Sequence, residues 1–180
     1  MVNIPMQRPD ASEYAPYFGR YVGLVAGDDV VHALRGQIRV TLETLCGVSE
    51  GDSLRRYAAG KWSLREVVGH LIDTERIMAY RALRIARGDE TPLPGFEQDP
   101  YIAAAGFDGR VWGNLLEEFE VVRRSNVLLF EGLSGEAWER RGVVNGDGIS
   151  VRALGFVIAG HELHHLRVVR ERYLGQGLGK

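Results

Sequence analysis

The sequence is poor in several things, and each scarcity closes off a class of protein. It has one cysteine, Cys46, so no intramolecular disulfide framework and no multi-cysteine metal site can form. It has no surplus of positive charge. The 22 Lys+Arg face 24 Asp+Glu for a net charge of −2, whereas a free-standing nucleic-acid binder carries a basic excess. No apolar run approaches the roughly 20 residues that span a bilayer, and the first ten residues lack the apolar stretch of a secretory signal. There is no fixed-period repeat and no low-complexity tract. No segment shows sustained apolar–polar alternation between hairpin dipeptides, so strands are not expected.

What is present is ordinary globular composition, 45% hydrophobic and 26% charged over 180 residues. That fits a single domain over residues 1–180, cytoplasmic, acting on a small molecule and engaging neither nucleic acid nor membrane. Any metal must be held by the five histidines and the carboxylates.

Punctuation along the chain reads as helices. Residues 1–27 are expected to form an irregular arm, because Pro5, Pro9 and Pro16 interrupt helix. Its aromatics Tyr14, Tyr17, Phe18 and Tyr21 either cover a core edge or line a pocket. The bundle is expected over residues 28–175. A first helix starts near Asp28 or Asp29, good N-cap residues, and Val31, Leu34, Ile38, Leu42 and Leu45 follow at helical spacing. A short helix is expected around Leu54 to Tyr57. Ser63 and Glu66 form a capping box for a second long helix, which stops at Arg87-Gly88. Residues 89–106 hold Pro92, Pro94 and Pro100, too many for a helix, and a connection this long is often functional. Its stretch from Thr91 to Tyr101 is a candidate lid. A third helix runs from about Asp108 to Glu131, a short turn follows Ser134, and residues 142–148 read as a glycine-rich loop. The last helix opens at Ser150 and reaches about Leu174. Four amphipathic helices, each burying one stripe, define an all-α four-helix bundle with short extra helices.

The histidines are His32, His70, His161, His164 and His165. His161 and His165 are four apart, so they project from one helix face about 6 Å apart. They share a stripe with Leu154 and Ile158 and therefore face the interior. His70 is in register with Val67 and Thr74 and faces inward as well. Three imidazoles on two helices match the donor set of an open divalent-metal site. Glu66 and Thr74, one turn either side of His70, and His164, beside the pair, are candidates for orienting the ligands. His32 falls on an exposed face. His161-Glu162-Leu163-His164-His165 also satisfies the His-Glu-x-x-His pattern of zinc peptidases, but no third ligand of the usual kind follows it.

Two stretches carry a family resemblance. Lys61-Trp-Ser-Leu-Arg-Glu-Val-Val-Gly-His70-Leu-Ile-Asp-Thr-Glu75 and Gly160-His-Glu-Leu-His-His165 resemble the DinB superfamily, in particular its YfiT-like group. So do Ala79 to Arg87, Leu93-Pro-Gly-Phe96 and Ile149 to Leu154, and the likeness spans about residues 14–174. It implies a four-helix bundle in up-down-down-up order, which accounts for the long second connection. It implies a divalent metal of zinc, nickel or iron type, carried over onto His70, His161 and His165. It also implies use of a low-molecular-weight thiol such as bacillithiol, mycothiol or glutathione, and makes a homodimer plausible.

Three functions stay open at this level. A metal-held thiolate attacks an electrophile in a transferase; metal-activated water cleaves a bond in a hydrolase; or the bundle is a non-catalytic, stress-associated metal-binding protein.

Overall fold

The computed structural model describes residues 7–175. Pro5, with the rest of 1–6 and with 176–180, lies outside the described residues. The arm is more ordered than its prolines suggest. It folds into 3-10 turns at Ala11–Glu13 and Pro16–Phe18 and then into α1, Gly19–Val22. Pro16 occupies the first position of its turn, where a missing N–H removes nothing.

Four long helices make the bundle: α2, Val30–Leu45; α3, Leu64–Ala86; α5, Trp112–Glu131; and α7, Val151–Val168. Between them lie α4, Gln98–Ala105, and α6, Gly135–Glu139. Asp29 caps α2 by accepting from the His32 amide. Ser63 and Glu66 form the full reciprocal capping box on α3. Ser150 caps α7 by accepting from the Ala153 amide at 3.0 Å. The start of α5 is four residues later than Asp108 implies. The Glu50 carboxylate accepts from the Trp112 amide at 3.0 Å, so a distant acid satisfies the helix N-terminus. Asp108 instead sits in a 3-10 turn and accepts from Arg56 and Ser63.

Four further expectations are corrected. Pro100 lies inside α4, tolerated because it stands in the first turn, where its nitrogen would have no intrahelical partner. The segment 142–148 is not a loop: Arg141–Val144 (β1) and Asp147–Ser150 (β2) pair antiparallel. Asn145 and Gly146 both have positive φ, 53° and 86°, the requirement of a two-residue type I′ turn. The α-helical hydrogen bonding of α7 ends at Val168 and continues as π-helix over Val169–Leu174. The short helix expected at Leu54 to Tyr57 is a 3-10 turn at Asp52–Leu54.

Packing gives the helix order. One core cluster joins Val30 and Leu34 of α2, Met78, Ala82 and Ile85 of α3, Val127 and Phe130 of α5, and Leu154 and Phe156 of α7. The other joins Leu45, then Leu64, Val67 and Leu71, then Leu115 and Phe119, then Val169 and Tyr173. One end of the bundle thus gathers the starts of α2 and α7 with the ends of α3 and α5. Helices α2 and α7 run one way and α3 and α5 the other, an up-down-down-up order. Phe119, Phe130, Leu34 and Leu115 are fully buried, each contributing roughly 1.5–3 kcal/mol by its removal from water. Helix α7 is buried almost all round from Val151 to Glu162, the pattern of a central helix. Among the described residues no helix is long and apolar enough to cross a membrane.

Candidate metal centre

The central pair of helices brings three imidazoles to one point. His70 of α3 and His161 of α7 place their Nε2 atoms 3.0 Å apart. His165, one turn along α7, places its Nε2 3.1 Å from that of His161. The three donor atoms lie within 4.8 Å of one another. Rings of this kind hydrogen-bond through a proton that only one partner can supply, so three converging nitrogens are better matched by a shared cation than by one another. Burial keeps them in the form a metal needs. It holds His70 down to about 4 and, with His70 and His164 adding to it, His165 down to about 3. His161 lies well below its ordinary value for the same reason, reinforced by its histidine neighbours. Neutral imidazole is the ligand form.

The orienting groups divide. Thr74 Oγ1 lies 3.4 Å from His70 Nδ1; in the tautomer with Nδ1–H toward the hydroxyl, the Nε2 lone pair faces the site. His164 packs on His165 at a ring separation of 5.1 Å and is half-buried. The Glu66 carboxylate is engaged at the helix start: it closes the cap at Ser63 and pairs with Arg56. His32 is exposed and apart from the site. The start of the stretch considered as a lid is tied down at Leu93 and Pro94. The Leu93 amide donates to Val143 at 2.9 Å, the Asn145 amide donates to Leu93 at 2.9 Å, and Arg81 reaches the Pro94 carbonyl at 2.6 Å.

Two aromatic walls carry no histidine signal in the sequence. Trp62 lies 4.9 Å from the His70 ring, and its carbonyl accepts from the Tyr173 hydroxyl at 2.7 Å. Tyr21 of α1 meets His161 at 5.4 Å and His164 at 5.7 Å. So the arm lines the site as well as covering the core. The signal that was available is the register of Trp62 just ahead of the Ser63 cap; nothing local ties Tyr21 to a helix some 140 residues away.

Behind the triad lies a buried ionic network. Arg123 of α5 donates to Glu75 at 2.6 and 2.9 Å and to Glu162 at 2.6 Å. Thr41 donates to Glu162 at 2.6 Å, and Arg123 also reaches the Leu34 carbonyl at 3.1 Å. Burial works against the Arg123 charge, yet the two carboxylates hold its pKa above the ordinary value. The Glu75 carboxyl is pushed up by burial despite Arg123. Glu75 is therefore no solvated surface acid. Glu162, the general base that a zinc-peptidase motif would need, is spent on Thr41 and Arg123 and does not face the histidine nitrogens.

An up-down-down-up helical bundle with a three-histidine cluster between its second and fourth long helices defines a class of protein. The chain belongs to the DinB superfamily, whose family model matches residues 33–169. A protein of Oceanobacillus iheyensis named "Putative metal-dependent hydrolase OB0413" is 28% identical over 131 residues, covering 71% of this chain and 74% of its own. YfiT from Bacillus subtilis, described as a probable metal-dependent hydrolase with an unusual four-helix bundle topology, superposes with a TM-score of 0.70 at 16% identity, covering 99% of this chain and all of its own. The DinB-like protein YjoA, also of Bacillus subtilis, gives 0.61 at 19% identity over 84% of this chain and 93% of its own. At these identities the two structures speak to the fold.

Proposed function

We propose that the protein is a metal-dependent enzyme that activates a small nucleophile at a divalent cation held by His70, His161 and His165. The observation that carries this reading is the convergence of three imidazole nitrogens within 4.8 Å, two of the rings buried and that of His165 half-buried. A cation bound there would act as a Lewis acid and ionise a coordinated water or thiol near neutral pH. The chain supplies the rest. Thr74 fixes the His70 tautomer, Trp62 and Tyr21 shield the rings from bulk water, and the helices hold the donors in place. Hydrolysis is the reading supported by the names of the relatives.

A second reading, transfer of a low-molecular-weight thiol, is favoured by one feature. Glu75 and Glu162, the carboxylates that line the gap beside His161, are both held by Arg123, so neither stands free as a general base to activate water. A thiol ionised by the cation itself needs none. The metals to try are zinc, nickel and iron, which imidazole serves alike.

The test is metal content by elemental mass spectrometry on untagged wild type and His161→Ala, followed by turnover assays. About one equivalent in wild type and little in the variant is expected. Ester or amide cleavage without thiol, abolished by chelator, selects hydrolysis; turnover of an electrophile only when thiol is added selects transfer. Absence of metal in both proteins after exposure to all three cations refutes the proposal.

A further inference from the structure

Helix α4 and the turn that precedes α3 enclose a cleft of about 280 Å³, at the small end of the roughly 300–1,000 Å³ typical of small-molecule sites. Its rim is held in place. Arg56 and Ser63 bridge across the turn, the Lys61 amide donates to Ala58 at 3.2 Å, and the Arg56 guanidinium donates to the Lys61 carbonyl at 2.9 Å. A ligand entering here need not order the wall it meets. Part of the lining is apolar: Trp62 is half-buried and Ile102 is buried, and both pack in the core cluster of Leu64 and Leu115.

The charges on the lining divide into engaged and free. Arg56 and Glu66 pair with each other, and Arg56 pairs with Asp108 at 2.6 Å as well. Lys61 and Asp99 line the same cleft, yet among the described residues neither is in an ion pair, with the other or with any third group. Lys61 is also the one lysine among the described residues, in a chain that otherwise uses arginine. A single cavity thus presents one free cation, one free anion and an indole. An anionic ligand would meet Asp99 and a cationic one would meet Lys61, so the complement is a molecule that carries both signs. The indole and Ile102 suit an apolar or aromatic group on that molecule.

We propose that this cleft binds a free α-amino acid with an apolar side chain, its carboxylate toward Lys61, its ammonium toward Asp99 and its side chain on Trp62 and Ile102. Trp62 also meets the His70 ring at 4.9 Å, so the bound amino acid lies against a residue that packs on the histidine cluster. Binding does not depend on a metal at the histidines.

The test titrates L-phenylalanine into the full chain while the indole N–H signal of Trp62, identified by its absence from Trp62→Phe, is followed by NMR. Phenylalaninamide lacks the carboxylate and N-acetylphenylalanine lacks the ammonium. Phenylalanine is expected to shift the signal at millimolar concentration, and each analogue to bind about threefold more weakly, the effect of one exposed ion pair. Lys61→Gln is expected to abolish the preference over the amide and to keep that over the acetyl compound; Asp99→Asn is expected to do the reverse. Both side chains are exposed and unpaired, so the variants keep the fold, checked by circular dichroism, and the comparison of the three probes on wild type needs neither variant. No shift with phenylalanine up to about 10 mM overturns the proposal. Equal binding of the amide, which would make the cleft a site for a peptide N-terminus, overturns it, as does equal binding of the acetyl compound, which would make it a site for a C-terminus. Preferences that survive both substitutions unchanged also overturn it.

Discussion

His161 and Glu162 are neighbours in sequence and serve different sides of α7. The His161 imidazole meets those of His70 and His165, while the Glu162 carboxylate turns to Thr41 and Arg123. One step along an α-helix is a rotation of about 100°, enough to send adjacent side chains into separate compartments. The gap left among Thr74, Glu75, Arg123, His161 and Glu162 is about 10 Å³, at the lower limit for one water. Glu162→Gln should therefore keep full metal content and lose about 1–3 kcal/mol of stability, the consequence of a disturbed buried charge-assisted hydrogen bond. Loss of metal at unchanged stability, read by elemental analysis and urea unfolding, would contradict this assignment.

Arg123 is the hub of the same network. Its replacement by Met leaves Glu75 and Glu162 facing each other in the interior without a cation. Removing one partner of a buried ion pair destabilises by about 3–5 kcal/mol. The urea midpoint of Arg123→Met should fall accordingly, and the loss should shrink in the triple variant that also carries Glu75→Gln and Glu162→Gln, where no uncompensated charge remains.

The buried histidines set a pH dependence. Unfolded, each titrates near 6.5; folded and metal-free, His70 is held at about 4 and His165 at about 3 by burial. A lowered folded value means that the unfolded chain binds more protons as acid is added. Their contribution is complete above pH 6.5 and is lost as pH falls through 4 toward 3, with a slope of about 1.4 kcal/mol per pH unit for each histidine. Thermal midpoints of the metal-free protein should drop between pH 6.5 and 4, and His70→Leu should drop less. A flat profile in wild type would show that these rings are not held neutral.

Gly160 admits the main chain of Tyr21. Gly160→Ala should push α1 off α7 at a cost of about 1–3 kcal/mol, typical of overpacking. Because Tyr21 packs on His161 and His164, the variant should also expose these rings. Faster modification of histidine by diethyl pyrocarbonate than in wild type is the expected readout.

The frame of the fold was legible where local chemistry decides it. Ser63 with Glu66 announced α3, Asp29 announced α2, and the stripe through Phe119 and Phe130 announced α5. The inward register of His70, His161 and His165 was legible for the same reason, since helical period alone puts them on buried faces. Long-range partners were not. Glu50 caps α5 from more than sixty residues away, so Asp108 looked like the better start. Asn145-Gly146 is a hairpin signal, masked by the glycine-rich stretch around it and by the lack of sustained alternation on either side. Arg123 stands in register with Phe119 and Asn126, an arginine on an apolar stripe, and that oddity pointed to buried acids whose identity only packing reveals. Tyr21 reaches the histidines through α1 docking at Gly160, a contact that no local pattern encodes.

The separation of His70 from His161 by 91 positions has a consequence for assembly. A chain synthesised only as far as the hairpin holds one imidazole of the cluster, and the last long helix delivers the other two together. Closing a loop of that length is entropically slow and gains nothing until α7 seats between its neighbours. Acquisition of the cluster is thus a timer for completion of the bundle: in a refolding experiment, cobalt absorption should rise with the final kinetic phase and not before it.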